Sequence, residues 1–353
     1  MTLFEPLTLR AQTFSNRIWV SPMCQYSSVD GLANDWHVVH LGALATGRPG
    51  LVMTEATSVT PEARIAPEDL GLWSDAHAQA LEPVVRVVHA QEVPLGIQLA
   101  HAGRKASTRA PWKGSGSVPL DEGGWQTIAP SAVPFGEFAA PREMTSDDLV
   151  RVRDGFVDAA RRAADLGVDV IEVHAAHGYL LHEFLSPLSN LRTDEYGGTL
   201  EARMRYPLEV VEAVREVWPE SRPLFVRISA TDWVDGGWDV DSSVEFARRA
   251  KALGVDLIDV SSAGLDPRQL ITLGPGYQVP FAEQIRRHAQ VPTSAVGLIT
   301  EPTQADAILT SGQADAVMLG RVLLREPRWP LRAAFELGEK AIWPNQLARG
   351  AYT

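Results

Sequence analysis

Eight short apolar runs rich in β-branched residues recur along the chain, separated by stretches of helical period. The runs are Arg17–Ser21, Leu51–Ala56, Leu95–His101, Val168–His174, Leu224–Ser229, Val255–Ser262, Pro292–Gly297 and Ala314–Arg321. Most are apolar almost throughout, as strands covered on both faces of a parallel sheet must be. Between them, Asp148–Leu166 sets Leu149, Val152, Phe156, Ala159, Ala160 and Ala163 on one stripe with charges opposite. Ser146 reads as its N-cap, and Gly167 stands where a left-handed C-cap belongs. The same grammar marks Val240–Leu253 before Gly254, opening near Asp241 or Ser242, and Glu301–Thr310 before Gly312. Asp75–His89 and Leu200–Val217 read as further helices. Strand and helix alternating eight times predict a TIM (β/α)8 barrel. A doubly wound sheet is the competing fold, but no Gly-x-Gly-x-x-Gly follows the first strand.

Two segments fall outside the rhythm. Leu3–Thr13 alternates weakly and predicts an N-terminal hairpin closing the bottom of the barrel. Gly103–Met144, rich in Gly, Pro, Ser and Trp, predicts a long loop after the third strand. Loops beyond ~12–15 residues are usually functional, and this one would rise from the face that carries barrel active sites. With no linker, repeat or low-complexity tract in view, residues 1–353 read as a single domain.

Composition excludes several function classes. No stretch approaches the ~18 consecutive apolar residues of a membrane span. Met1–Phe14, with Glu5 and Arg10, lacks the basic and apolar regions of a secretory signal. A lone cysteine, Cys24, rules out an internal disulfide framework and fits a reducing, cytoplasmic setting. A net charge of -12 argues against a nucleic-acid groove, which needs a basic face.

The C-terminal ends of the strands carry the polar residues that matter. Ser21, Pro22, Met23, Cys24, Gln25 and Tyr26 follow the first; Glu55 and Ala56 mark the second; Gln98 and His101 the third. Glu172, His174 and His177 lie at the fourth, Arg227 in the fifth, Ser261 and Ser262 at the sixth, Gly297 at the seventh, and Gly320 and Arg321 at the eighth. Glycines after strands seven and eight let backbone N–H groups approach an anion, and Arg321 can bind phosphate bidentately, so a phosphorylated cofactor or substrate is expected. Otherwise these glycines serve tight turns. His174 and His177 can ligate zinc with a third ligand such as Glu183 or Asp194, bond internally, or grip a carbonyl oxygen beside Tyr179. The site is read here without a metal. An arginine inside an apolar strand needs an anionic partner. For Arg227 that is a structural carboxylate such as Glu172, or an electron-rich ring atom of a cofactor. Gln98, both donor and acceptor, suits a pyrimidine-like edge. Cys24 is either core packing or part of this mouth.

These pieces carry a resemblance. Asn16-Arg17-Ile18, Ser21 through Tyr26, Gln98 through Lys105, His174 through Tyr179, Phe184 through Pro187, Asn190 through Gly198 and Leu319-Gly320-Arg321 occur in order along nearly the whole chain. Together they resemble the Old Yellow Enzyme family of FMN-dependent ene-reductases, in its bacterial xenobiotic reductase and YqjM-like subgroup. The resemblance implies FMN across the top of the barrel and NADPH or NADH as hydride donor. It implies that Ser21, Pro22, Met23, Cys24 and Ala56 line the flavin, that Gln98 and Arg227 meet its pyrimidine ring, and that Gly297, Gly320 and Arg321 hold its phosphate. It assigns His174 and His177 to the carbonyl oxygen of an activated alkene, Tyr179 (or solvent) to protonation of the α-carbon, Tyr26 to substrate contact, and Cys24 to tuning of the flavin. Arg349 would reach a neighbouring subunit's site in a homodimer or homotetramer, and Trp112 or Trp125 would wall the pocket.

Two other chemistries fit parts of the sequence. A Schiff-base lyase would use Lys105 or Lys251, though neither has an evident activating neighbour. A non-catalytic FMN or phosphate-binding protein would share the glycines but not rapid reduction by a nicotinamide.

Overall fold

The computed structural model describes residues 1–352, and its eight predicted runs form parallel strands closed into a barrel. They are β1 (Ile18–Val20), β2 (Leu51–Ser58), β3 (Leu95–Ala100), β4 (Val170–Ala175), β5 (Leu224–Ser229), β6 (Leu257–Ser261), β7 (Thr293–Ala295) and β8 (Ala316–Leu319). Closure comes from β8 pairing with β1, Met318 opposite Trp19. Each strand leads to a helix on the outside: α1 (Asp35–Ala45), α2 (Asp75–His89), α3 (Ser146–Asp165), α4 (Leu200–Val217), α5 (Val240–Ala252), α6 (Val279–Ala289), α7 (Pro302–Thr310) and α8 (Trp329–Glu336). Among the described residues no helix is long and apolar enough to cross a membrane.

The apolar stripe of α3 is buried as its spacing predicts, and Gly167 closes the helix at φ 79°. Its start corrects the sequence reading. Thr145, not Ser146, is the N-cap: its side chain accepts from Asp148 N at 3.2 Å, and Asp148 accepts from Thr145 N at 2.9 Å. Both residues are capping types, but only Thr145 has an acid three positions on. Helix α5 opens at Val240 as predicted, and its cap is Asp239, which accepts from Ser242 N, rather than Asp241 or Ser242.

Residues two apart share a strand face, so the inward positions of the barrel form layers. The lowest layer is apolar, with Trp19, Leu51, Val170, Phe225 and Leu257 in one cluster. The hairpin of Leu7–Leu9 with Gln12–Phe14 seals it from below. Phe14 is fully buried there, its ring 4.8 Å from Trp19 and 6.3 Å from Phe225. Arg17 fastens the hairpin by donating to Pro6 O at 3.0 Å and to Asp315 O at 2.7 Å. The next layer up is polar, and there the site begins.

Deleting the Phe14 ring leaves a cavity that rigid strands cannot close. Phe14→Ala is expected to lose ~3–5 kcal/mol of stability, read as a lower guanidinium midpoint.

Candidate active site

Strand register brings the buried charges together. Gln98 stands opposite Glu172, and Arg227 lies between His174 and Asp259. Arg227 Nε is 2.9 Å from Asp259 Oδ2, both side chains almost wholly buried. The partner of Arg227 is therefore Asp259, which the sequence reading overlooked, and not Glu172. Ser294 Oγ donates to the other Asp259 oxygen at 2.7 Å. Glu172 instead accepts from Gln98 Nε2 at 2.7 Å. Burial, with Asp259 nearby, pushes the Glu172 carboxyl up to about 8, so it is protonated at neutral pH. Among the described residues Arg227 makes no hydrogen bond through its terminal nitrogens, which leaves them free for a ligand.

One layer higher, His174 and His177 converge. His174 Nε2 lies 3.4 Å from His177 Nδ1, and the rings meet edge-on. Burial, reinforced by the Arg227 charge, holds both pKa values well below the ordinary value, so both imidazoles are neutral. Among the described residues His174 Nδ1 is buried without a partner. His177 adopts φ 59°, a left-handed conformation costly for a side chain of this size. Its backbone is clamped: His177 N donates to Ser229 Oγ at 2.9 Å, and Lys105 Nζ donates to His177 O at 2.8 Å and Gly264 O at 2.9 Å. Gly178, at φ 70°, admits no Cβ, because Gly264 O would lie 2.2 Å away. Tyr179 sits beside the pair, its ring 5.2 Å from that of His174, with burial raising its hydroxyl pKa.

The mouth is completed by loops. Glu55 accepts from Gln25 N at 2.8 Å and so anchors the Ser21–Tyr26 segment. Cys24, Tyr26, Tyr179 and Trp125 pack around Ala56 and Ala100, while Trp112 meets Tyr26 edge-on at 5.7 Å. Both tryptophans of the long loop thus border this region. Burial, with Asp69 and Glu55 nearby, raises the Cys24 pKa, so the group is a neutral thiol. On the β7–β8 side a cavity of about 270 Å³ is lined by Ser261, Gln278, Gly297, Gly320 and Arg321. Gly297 stands at φ 121°, where a Cβ would approach Gln278 Nε2 to 2.8 Å. A Cβ on Gly320 would meet only Met23 Sδ, at 3.7 Å, and otherwise face open space. Arg321 has no intramolecular hydrogen bond or ion pair among the described residues.

The model of the NADH:flavin oxidoreductase / NADH oxidase family matches residues 2–339. The chain belongs to that family. An NADPH dehydrogenase of Geobacillus thermodenitrificans (strain NG80-2) is 51% identical over 351 residues, covering 99% of this chain and 98% of the relative. The structure of morphinone reductase in complex with tetrahydroNAD superposes with a TM-score of 0.80 at 29% identity, covering 98% of this chain and 93% of the other. The Old Yellow Enzyme homologue of Zymomonas mobilis gives 0.79 at 27% identity, covering 98% and 96%. Family membership makes this chain an FMN-dependent oxidoreductase with Old Yellow Enzyme-type structural neighbours.

The residues present fit a flavin mononucleotide. An unpaired arginine lines the β7–β8 cavity, and a second arginine, Arg227, offers free donors at the barrel centre beside Gln98. Other sequence candidates lie elsewhere. His101 is buried on the side of Glu62 and Arg151, its Nδ1 accepting from Gly103 N at 3.0 Å. Lys251 donates to Gln290 O on the outer rim. Glu183 accepts from Arg104 N, and Asp194 pairs with Arg192. Among the described residues no group of three His, Cys, Asp or Glu side chains is placed to hold a metal. Arg349 is exposed on the C-terminal segment Asn345–Gly350 and is not part of this mouth within one chain. The sequence reading missed Asp259, although an aspartate inside the apolar run Val255–Ser262 is as anomalous as Arg227. It also missed Gln278, for which no sequence signal exists.

The neutral histidines give a stability signature. Their folded pKa values lie below the unfolded value of ~6.5, so below that pH the unfolded chain binds more protons and stability falls on acidification. Glu172 and Glu183, both raised to about 8, act in the opposite sense. The histidine part is therefore read as a difference. His174→Gln is expected to remove up to ~1.4 kcal/mol per pH unit of acid destabilisation below pH ~6.5, measured by unfolding of both proteins across pH 5 to 8.

Proposed function

We propose that the enzyme reduces the activated C=C bond of α,β-unsaturated carbonyl compounds, with His174 and His177 binding the carbonyl oxygen. The observation that carries this reading is the convergence of His174 Nε2 and His177 Nδ1, 3.4 Å apart, from two neutral rings. Two N–H groups aimed at one oxygen draw electron density from the β-carbon and stabilise charge that develops on the oxygen. When bound, FMN supplies hydride storage and transfer between NADPH and the alkene.

Tyr179, beside the histidine pair, keeps its proton against solvent at neutral pH and delivers it to the α-carbon. Tyr26 and the tryptophans Trp112 and Trp125 border the substrate and exclude water. The Ser21–Cys24 segment and Ala56 line the flavin ring, and the neutral Cys24 thiol modulates it without acting as a nucleophile. Gln98 would bond the pyrimidine edge, where the Arg227 charge would favour negative charge. Gly297, Gly320 and Arg321 hold the phosphate. The whole chain works as one FMN-binding unit on this reading. Arg349, free on the surface of the single chain, reaches the mouth of a neighbouring subunit.

The spectrum of the purified protein tests the cofactor cycle: a flavin band that bleaches with NADPH under anaerobic conditions and returns with 2-cyclohexenone is the expected result. A single oxyanion donor is worth ~3–4 kcal/mol, so His174→Ala or His177→Ala should lower kcat about 10²–10³-fold while flavin stays bound. Wild-type turnover in either variant removes the assignment. Arg349→Ala should lower turnover only in the assembled enzyme, checked by kinetics alongside the mass in solution. A monomeric wild type with full activity removes that part.

A further inference from the structure

His177 meets a different partner on each ring nitrogen. Nδ1 faces His174 Nε2 at 3.4 Å, and Nε2 lies 2.8 Å from Ser261 Oγ. The ring is neutral and carries one proton. Only the Nδ1–H form can donate toward the point that His174 Nε2 also faces, and Nε2 must then accept. Ser261, 5% exposed at the end of β6, has two acceptors in reach: His177 Nε2 at 2.8 Å and Gln278 Oε1 at 3.4 Å. The amide is oriented by its surroundings, because Gln278 Nε2 donates to Val296 O at 3.0 Å. Its oxygen therefore faces the serines, and Ser262 Oγ already donates to it at 2.6 Å. A hydroxyl donates to the nearer, unoccupied nitrogen in preference to a distant oxygen that is already bonded.

We propose that Ser261, oriented among Ser262 and Gln278, is a positioning residue that holds His177 as its Nδ1–H tautomer. His177 then directs a donor at the carbonyl site before substrate arrives. In the opposite tautomer His177 Nδ1 would accept from His174 Nε2–H, the two rings would satisfy each other, and a substrate would have to break that contact. Such preorganisation costs nothing at the moment of reaction. The inference rests on the reading of His174 and His177 as carbonyl donors.

The test uses oxidised holoenzyme labelled with 15N-histidine, the His177 signals being assigned by their loss in His177→Gln. Ligand-free wild type is expected to show a protonated Nδ1 and a bare Nε2. Ser261→Ala should move the proton to Nε2 and lower kcat/KM for 2-cyclohexenone about tenfold, the scale of one hydrogen bond, both read on enzyme saturated with added FMN because Ser261 also lines the β7–β8 cavity. Ser261→Thr, which keeps the hydroxyl, should restore both. A protonated Nε2 in ligand-free wild type overturns the proposal without any variant. So does Ser261→Ala with an unchanged tautomer, or with turnover within about twofold of wild type. Titration with cyclohexanone, a carbonyl with no reducible C=C bond, separates the underlying reading. If neither histidine signal moves, the carbonyl site itself is refuted, whereas movement with the wrong tautomer refutes only the role of Ser261.

Discussion

The site depends on a single buried ion pair, Arg227 with Asp259, at the centre of the barrel. A guanidinium carried into a closed barrel on a strand flanked by apolar neighbours is tolerable only with a counter-charge beside it. Register supplies that charge from the next strand, and Ser294 ties down the far carboxylate oxygen. Glu172, the second carboxyl nearby, escapes repulsion by keeping its proton and resting on Gln98. One cation and one anion thus balance in the interior, with a neutral acid beside them. Breaking such a pair from one side typically costs ~3–5 kcal/mol, far more than a surface bridge. The polar layer is for that reason also a stability commitment, and the apolar plug of Phe14, Trp19 and Phe225 beneath it is what keeps water from relaxing the arrangement from below.

Above that layer the structure stores strain where chemistry is read. His177 holds a left-handed backbone, and its turn packs so closely against Ala263–Leu265 that neither Gly178 nor Gly264 has room for a side chain. Three devices oppose relaxation: the Ser229 hydroxyl on His177 N, the Lys105 ammonium bridging two carbonyls, and His182 Nδ1 accepting from Gly178 N at 2.9 Å. Burial lowers the Lys105 pKa to about 8, so the ammonium is retained at neutral pH for this bridging duty. Aiming one imidazole is the visible result of holding that turn in place.

Much of this is legible in the sequence alone. The barrel followed from the alternation of strand and helix, since near-continuous apolar runs admit few alternatives to a buried parallel sheet. Strand-end residues such as His174, Arg227 and Arg321 were legible because polar groups at the ends of buried strands are anomalous. The failures have physical causes. Asp259 became the partner of Arg227 because pairing is decided by register across strands, which spacing along one strand does not encode. The cap of α3 moved from Ser146 to Thr145 because a capping box is a two-residue property, completed by Asp148. Gln278 emerges only from the way the start of α6 folds back over β6 and β7.

The same cation links the two halves of the site. Arg227 stands at the barrel centre among the groups that suit a flavin's pyrimidine edge, and its charge is the second cause, after burial, holding His174 and His177 neutral. A pair of imidazolium rings would bind anions tightly and release them slowly. Neutral rings bond a carbonyl oxygen modestly in the ground state and more strongly as negative charge grows there, which is the difference that accelerates a reaction. One buried arginine can therefore favour negative charge on the cofactor side and neutral donors on the substrate side. On the proposed function, these are the two conditions a hydride transfer to an electron-poor alkene requires.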